Sequence, residues 1–232
     1  MPVGTITALR AQEHDTQRVN VFIDGTFAIG VGLNTLTREA LFVGKAIDEP
    51  AWSALERAEQ HDKTLQAAMR YLDARPRSSA ELRDKLRRKE FPPEAIDAAL
   101  ARLATLGLVD DASFARFWVE NRQIIRPKGA RALRDELRRK GVDRDVIDAT
   151  MGDAELLGDD AEKVWAIARA ATHKYADSAD KQTFKRRLGG YLQRRGFGFD
   201  VMRPVLDTLW AELHNEEDER GDMEELGSPF SR

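Results

Sequence analysis

Arginine recurs in this chain at a spacing that suits an anionic partner better than a reaction. Arg83 and Arg87 stand four apart, and Arg134 and Arg138 repeat the arrangement. Positions i and i+4 share a helix face, and like charges there disfavour an isolated helix by about 0.2–0.5 kcal/mol. An arrangement that costs stability and is used twice points to a partner bearing negative charge. Neighbouring charges neutralise themselves: Glu81 with Lys85, Asp84 with Arg88, Asp135 with Arg139 and Glu136 with Lys140 stand at i,i+4 with the acid first, the favoured order. That pairing leaves Arg83, Arg87, Arg134 and Arg138 as an unpaired stripe beside the apolar pairs Leu82/Leu86 and Leu133/Leu137. With the flanking Arg88, Lys89, Arg131, Arg139 and Lys140, and with Arg194 and Arg195 further on, these form the candidate binding set.

Residues that could carry catalysis are scarce. There is no cysteine, so thiolate zinc sites, iron–sulfur clusters and cysteine nucleophiles are excluded. His14, His61, His173 and His214 are scattered, with no second His at i+3 or i+4. Neither a phosphate-binding GxxxxGK(S/T) loop nor a GxSxG elbow occurs, and the pair Gly30 and Gly32 is followed by Thr35 where a dinucleotide loop needs glycine. Asp110 with Asp111 and Asp159 with Asp160 resemble metal carboxylates, but both pairs stand just ahead of helical patterns, where caps and the helix dipole favour acids. Phe117, Trp118, Trp165 and Trp210 fall inside helical patterns and read as core. A non-enzymatic protein without cofactor or metal is expected.

Composition agrees. The 232 residues include 37 basic and 40 acidic side chains, and 42% are hydrophobic but only 7% aromatic, which favours short amphipathic helices. The charge is segregated. Residues 1–62 carry 5 basic and 9 acidic groups, 63–151 carry 20 and 14, 152–213 carry 10 and 10, and 214–232 carry 2 and 7. No apolar leader opens the chain and no 18 apolar residues run together, so a soluble cytoplasmic protein without membrane contact is expected.

The basic residues must be held by helices that repeat. Residues 82–100 (LRDKLRRKEFPPEAIDAAL) match residues 133–151 (LRDELRRKGVDRDVIDATM) at ten of nineteen positions without a gap. Residues 188–206 (LGGYLQRRGFGFDVMRPVL) keep the framework, with Gly189 and Gln193 at the places of the stripe arginines. Internal repetition outranks other signals. Each unit reads as three helices. In the first, 63–74 precedes a capping box at Ser78 and Glu81, Pro93 opens the third helix, and Gly107 closes it. Asp110 caps the next helix, whose buried face is marked by Phe114, Phe117 and Trp118. Gly141 and Gly196 end the later middle helices; Asp143 caps the last helix of the second unit, and Asp159 or Asp160 the first helix of the third. Stacked modules make an elongated arc.

Ahead of the repeats, 19–23 and 27–31 flank a tight turn at Asp24 and Gly25, with a third strand at 5–9. Asn34 or Thr35 can cap a short helix to about 42, and 49–60 reads as another with Pro50 in its first turn. The fold class is therefore mainly α: tandem three-helix, helix-turn-helix-like repeats after a small α+β module with a β-hairpin. The expected divisions are 1–62, the repeats 63–109, 110–157 and 158–213, and a disordered acidic tail over 214–232.

This ordered set resembles the RecX family of bacterial regulatory proteins. The resemblance rests on Tyr71, Leu72, Arg77, Ser78, Glu81, Leu82, Lys85, Leu86, Lys89 and Ile96, then Leu103, Gly107, Leu108, Asp110, Asp111, Phe114, Ala115 and Arg122. Lys128, Gly129, Glu136, Leu137, Lys140, Gly141, Val142 and Ile147 complete it, and Arg18 to Val21 with Asp24 and Gly25 resemble the extension of longer members. The chain departs from the pattern at Glu90, where the family usually has Gly. The resemblance implies binding to the RecA recombinase and to the groove of its filament on single-stranded DNA. It also implies inhibition of ATPase and strand exchange, and so a role in homologous recombination, DNA repair and the SOS response. Weak, sequence-independent DNA binding fits the same reading. The alternative is a helix-turn-helix transcription regulator, which calls for a base-reading helix and usually a dimer.

Overall fold

The computed structural model describes residues 2–226, and side chains as far as His214. The chain divides into two compact units, Met1–Phe114 and Ala115–Arg232. The division falls inside one helix.

The first unit opens with strands β1 (Gly4–Ala11), β2 (Arg18–Ile23) and β3 (Thr26–Gly32). Asp24 and Gly25 both take positive φ, +48° and +83°, as the twist of a two-residue hairpin demands. Helix α1 (Leu33–Arg38) follows, then β4 (Ala46–Ile47), which pairs with the free edge of β1 to give the antiparallel order β3-β2-β1-β4. This two-residue strand was not foreseen. The cap of α1 also differs from expectation: Gly32 occupies it, and Thr35 is buried inside the helix.

Helix α2 (Glu49–Ala74) replaces two expected helices with one. Asp48 accepts from the Ala51 amide at 2.9 Å and Pro50 sits in the first turn. Trp52 and Leu55 pack under the sheet with Ile6, Val21, Ile23, Val31 and Ile47. Further along the same helix, Ala67 and Ala68 pack with Leu82, Leu86, Ile96, Leu100 and Leu103. These come from α3 (Ser79–Arg87) and α4 (Pro93–Thr105). The buried carboxylate of Glu59 joins sheet to helix, accepting from Arg18 Nη2 at 2.6 Å and the Gly32 amide at 3.0 Å, with Lys63 at 3.4 Å.

Helix α5 (Asp111–Ile125) crosses the division between the units. The second repeat continues with α6 (Ala130–Arg139), α7 (Arg144–Met151) and the short α8 (Ala154–Leu157). The third comprises α9 (Asp160–Thr172), α10 (Lys181–Gln193) and α11 (Phe199–Leu226). Val164, Ala168, Phe184, Leu188, Leu192 and Leu206 form its core. The expected buried face of α5 is only partly right: Phe114 is buried, Trp118 half-buried and Phe117 exposed. The disorder expected from 214 onward gives way to helix through Leu226; glutamate is a good helix former, and extending a formed helix is far easier than starting one. The expectation for 227–232 lies outside the described residues. Among the described residues, no helix is long and apolar enough to cross a membrane.

Candidate nucleic-acid interface

The stripe arginines are not the free ones. Arg83 of α3 is ion-paired to Asp97 of α4. Arg138 of α6 holds Asp135 at 2.9 Å, and Arg87 approaches Asp84 at 3.9 Å, both at i,i+3. Only Arg134, half-buried, lacks an ion pair among the described residues. The acid expected to neutralise Lys85 serves another residue as well: Glu81 holds Arg75 at 3.0 Å. Sequence spacing located the charges but could not see acids arriving from other helices.

Besides Lys89 and Arg131, the exposed candidates without an ion pair among the described residues are Arg88, Arg139 and Arg194. Each occupies the same place in its repeat, at the C-terminal end of the middle helix; all three are exposed and none makes an ion pair among the described residues. A cation there is favoured by the negative end of the helix dipole, so its presence does not strain the fold. The residue after each is also basic. Lys89 is exposed, Lys140 lies over the Trp118 ring at 4.5 Å, and Arg195 lies over Tyr191 at 4.8 Å. Lys85 and Arg77 flank Tyr71, and Arg187 flanks Tyr175. Aromatic faces therefore hold basic side chains in place in all three repeats.

Glu136 builds the second repeat's centre from within. Its Oε2 accepts from Trp118 Nε1 and Arg122 Nε, each at 2.8 Å, and its Oε1 from Lys128. Burial works against its ionisation, but the hydrogen bonds from Lys128, Arg122 and Trp118 prevail and hold the carboxyl below its ordinary range. Arg122 in turn lies 4.5 Å over Trp118, the ring that Lys140 also approaches at 4.5 Å. Arg122 and Lys128 were missed as members of this cluster, and only the buried position of Glu136 on the face of Leu133 and Leu137 could have signalled it.

Within the second unit Arg131, Arg194 and Arg195 come together at one junction. The Gly129 amide donates to the Arg195 carbonyl at 3.0 Å, bringing the start of α6 against the end of α10. A Cβ on Gly129 would lie 2.4 Å from the Gly196 carbonyl oxygen, and one on Gly196 would lie 2.4 Å from Ala132 Cβ. Arg131 and Arg194 line a shared recess of about 320 Å³ there. Arg83, Arg87, Arg88 and Lys89 belong to the first unit and form their own edge on α3.

The acidic pairs are structural. Asp110 accepts from the Ala112 and Ser113 amides at 3.1 Å each, and Asp111 from the Ser79 amide and hydroxyl at 2.8 and 2.6 Å. Asp159 accepts from the Ala161 amide at 2.7 Å, and Asp160 holds Lys163 at 2.9 Å. Asp143 stands at the cap of α7 without a capping bond. No three His, Asp or Glu side chains converge as metal ligands among the described residues.

Four sequence profiles of one family match the chain in order. They are the Regulatory protein RecX N-terminal domain over residues 4–48 and the first, second and third three-helix domains of RecX over 65–103, 110–151 and 159–206. The chain belongs to the RecX family of regulatory proteins. A RecX of Levilactobacillus brevis is 34% identical over 221 residues, spanning 94% of this chain and 80% of that protein. A RecX of Mycolicibacterium vanbaalenii is 35% identical over 185 residues, spanning 78% and 98%. A crystal structure of regulatory protein RecX superposes with a TM-score of 0.72 at 25% identity, covering 88% of this chain and 98% of that one. The tandem three-helix architecture of RecX is thus the fold of this chain.

Proposed function

We propose that this protein is a non-enzymatic regulator that binds the RecA recombinase on its single-stranded DNA filament in the cytoplasm. It lowers RecA ATPase and strand exchange, and so modulates homologous recombination, DNA repair and the SOS response. The observation that carries this reading is the exposed, unpaired Arg88, Arg139 and Arg194, one at the same helix end of every repeat. A free cation repeated in each three-helix unit suits a polyanion, which offers a phosphate to each. Base-specific reading would need further side chains aimed at base edges, whereas phosphate contact needs only charge. Support from the family is coarser: the relatives are named regulatory proteins.

The test is ATP hydrolysis by the cognate RecA on single-stranded DNA, titrated with this protein at two salt concentrations. Inhibition at less than one copy per RecA, relieved by combined Arg88→Ala, Arg139→Ala and Arg194→Ala, is the expected result. No effect on the ATPase, with sequence-specific duplex binding instead, would replace this reading with a helix-turn-helix transcription regulator.

A further inference from the structure

The third repeat lacks two side chains that the first two carry. Where they place Arg83 and Asp84, or Arg134 and Asp135, α10 has Gly189 and Gly190. Adjacent glycines weaken a helix interior, so each calls for a reason. Packing supplies one for Gly189, where a Cβ would come within 3.3 Å of Leu206 Cδ1. It supplies none for Gly190, where a Cβ would meet only Arg194 Nη1 at an ordinary 3.5 Å.

Beside Gly190 lies a groove of about 670 Å³, within the ~300–1,000 Å³ typical of ligand sites. Arg131 and Arg186 stand on it, exposed and without ion pairs among the described residues, while Lys185 is held by Asp207 at 2.6 Å. Of its acids, Asp160 is bonded to Lys163, and Asp200 lies in the first turn of α11, where the helix dipole favours it. Phe199 completes the groove and is 69% exposed, although Phe197 already fills the core position at 4%. The equivalent residues, Pro93 and Arg144, show that the repeat itself has no need of an aromatic there.

We propose that this groove takes one unstacked base of single-stranded nucleic acid, its ring against Phe199 and over the bare backbone of Gly190. Arg131 and Arg186 receive the flanking phosphates. The inference rests on the nucleic-acid half of the function proposed above and goes beyond it by naming a strand type and a place. A flat ring needs close backbone approach, an aromatic face tolerates any base, and a paired base cannot enter.

Fluorescence anisotropy of the full chain with labelled oligo(dT), an abasic strand of equal length and a hairpin duplex reads this directly. Phe199→Ala is expected to weaken oligo(dT) binding about tenfold and to leave the abasic strand unchanged. Phe199→Tyr restores binding. Gly190→Leu, which fills the groove with a better helix former, causes a similar loss without lowering the thermal midpoint. Equal affinity of wild type and Phe199→Ala for oligo(dT), an equal loss on the abasic strand, or no oligo(dT) binding by wild type each overturns the proposal. So does a Gly190→Leu defect confined to RecA without DNA, which would assign the groove to a protein loop. RecA ATPase on the same preparations separates the two readings: inhibition retained while the oligo(dT) effects fail removes only the groove. Phe199-dependent oligo(dT) binding without inhibition keeps the groove and removes the regulator.

Discussion

At the scale of single residues, Glu90 and Glu136 show two ways in which an acid departs from what its neighbourhood prefers. Glu90 has a left-handed backbone, φ +60°, at the place where Gly141 and Gly196 end the other middle helices. A side chain there costs ~1–2 kcal/mol, and glycine returns ~0.5–1 of that through its freer unfolded state. Glu90→Gly is therefore expected to stabilise the protein by about 0.5–1 kcal/mol, read as a higher urea midpoint at unchanged slope. Glu136 is the reverse case, an acid the fold depends on. Its folded pKa lies below the ordinary 4.5, so its contribution is complete above that value and is lost as pH falls through the folded pKa. Glu136→Gln should cost about 2–3 kcal/mol at neutral pH, because Arg122 and Lys128 lose their common acceptor, and should flatten the acid limb of a stability-against-pH curve. Asp207 works in the same direction: hydrogen bonds from Lys181 and Lys185 hold it at about 2, so Lys181→Ala with Lys185→Ala should weaken the third repeat near neutral pH and lessen its loss of stability between pH 4 and 2.

At the scale of elements, legibility followed how local the cause was. The hairpin at Asp24 and Gly25 and the helix starts at Ser78 and Asp110 were readable because each cap or turn is made by residues within three or four positions. The pairing of Arg83 was not readable, since Asp97 arrives from α4. Nor was the unbroken α2: the charge balance changes at 62/63, but no glycine or proline stands there to stop a helix. The junction of α6 with α10 was equally hidden, because Gly196 looked like an ordinary helix end and is in fact, with Gly129, a place where two elements touch. Gly196→Ala combines a 2.4 Å clash with Ala132 and a φ of +89°, and should destabilise the second unit by about 2–4 kcal/mol, measured by thermal unfolding. The same clash should loosen the recess between Arg131 and Arg194.

At the scale of the whole molecule, charge is distributed so that acidic ends bracket a basic middle. Local ion pairs absorb many of the basic groups, and among those left exposed one sits at the same helix end of every repeat. Binding to a polyanion should accordingly be salt-sensitive without being tight. Replacing Arg88, Arg139 and Arg194 together should reduce the slope of log K against log salt by about 2–3, roughly one phosphate contact each. Changing Asp97 to Asn should do little to that slope, since Arg83 would only be released into the same charge field.

Helix α2 has a mechanical consequence. Its 26 residues, about 39 Å at 1.5 Å per residue, run from beneath the sheet into the core of the first repeat, with Glu59 fastening the sheet to it. A rod shared by two cores transmits load between them, so stretching the first unit by its ends should produce a single rupture instead of one for the sheet and one for the helices. Lys63→Pro, which removes an internal hydrogen bond and kinks the rod, should split that rupture into two smaller ones in an optical trap.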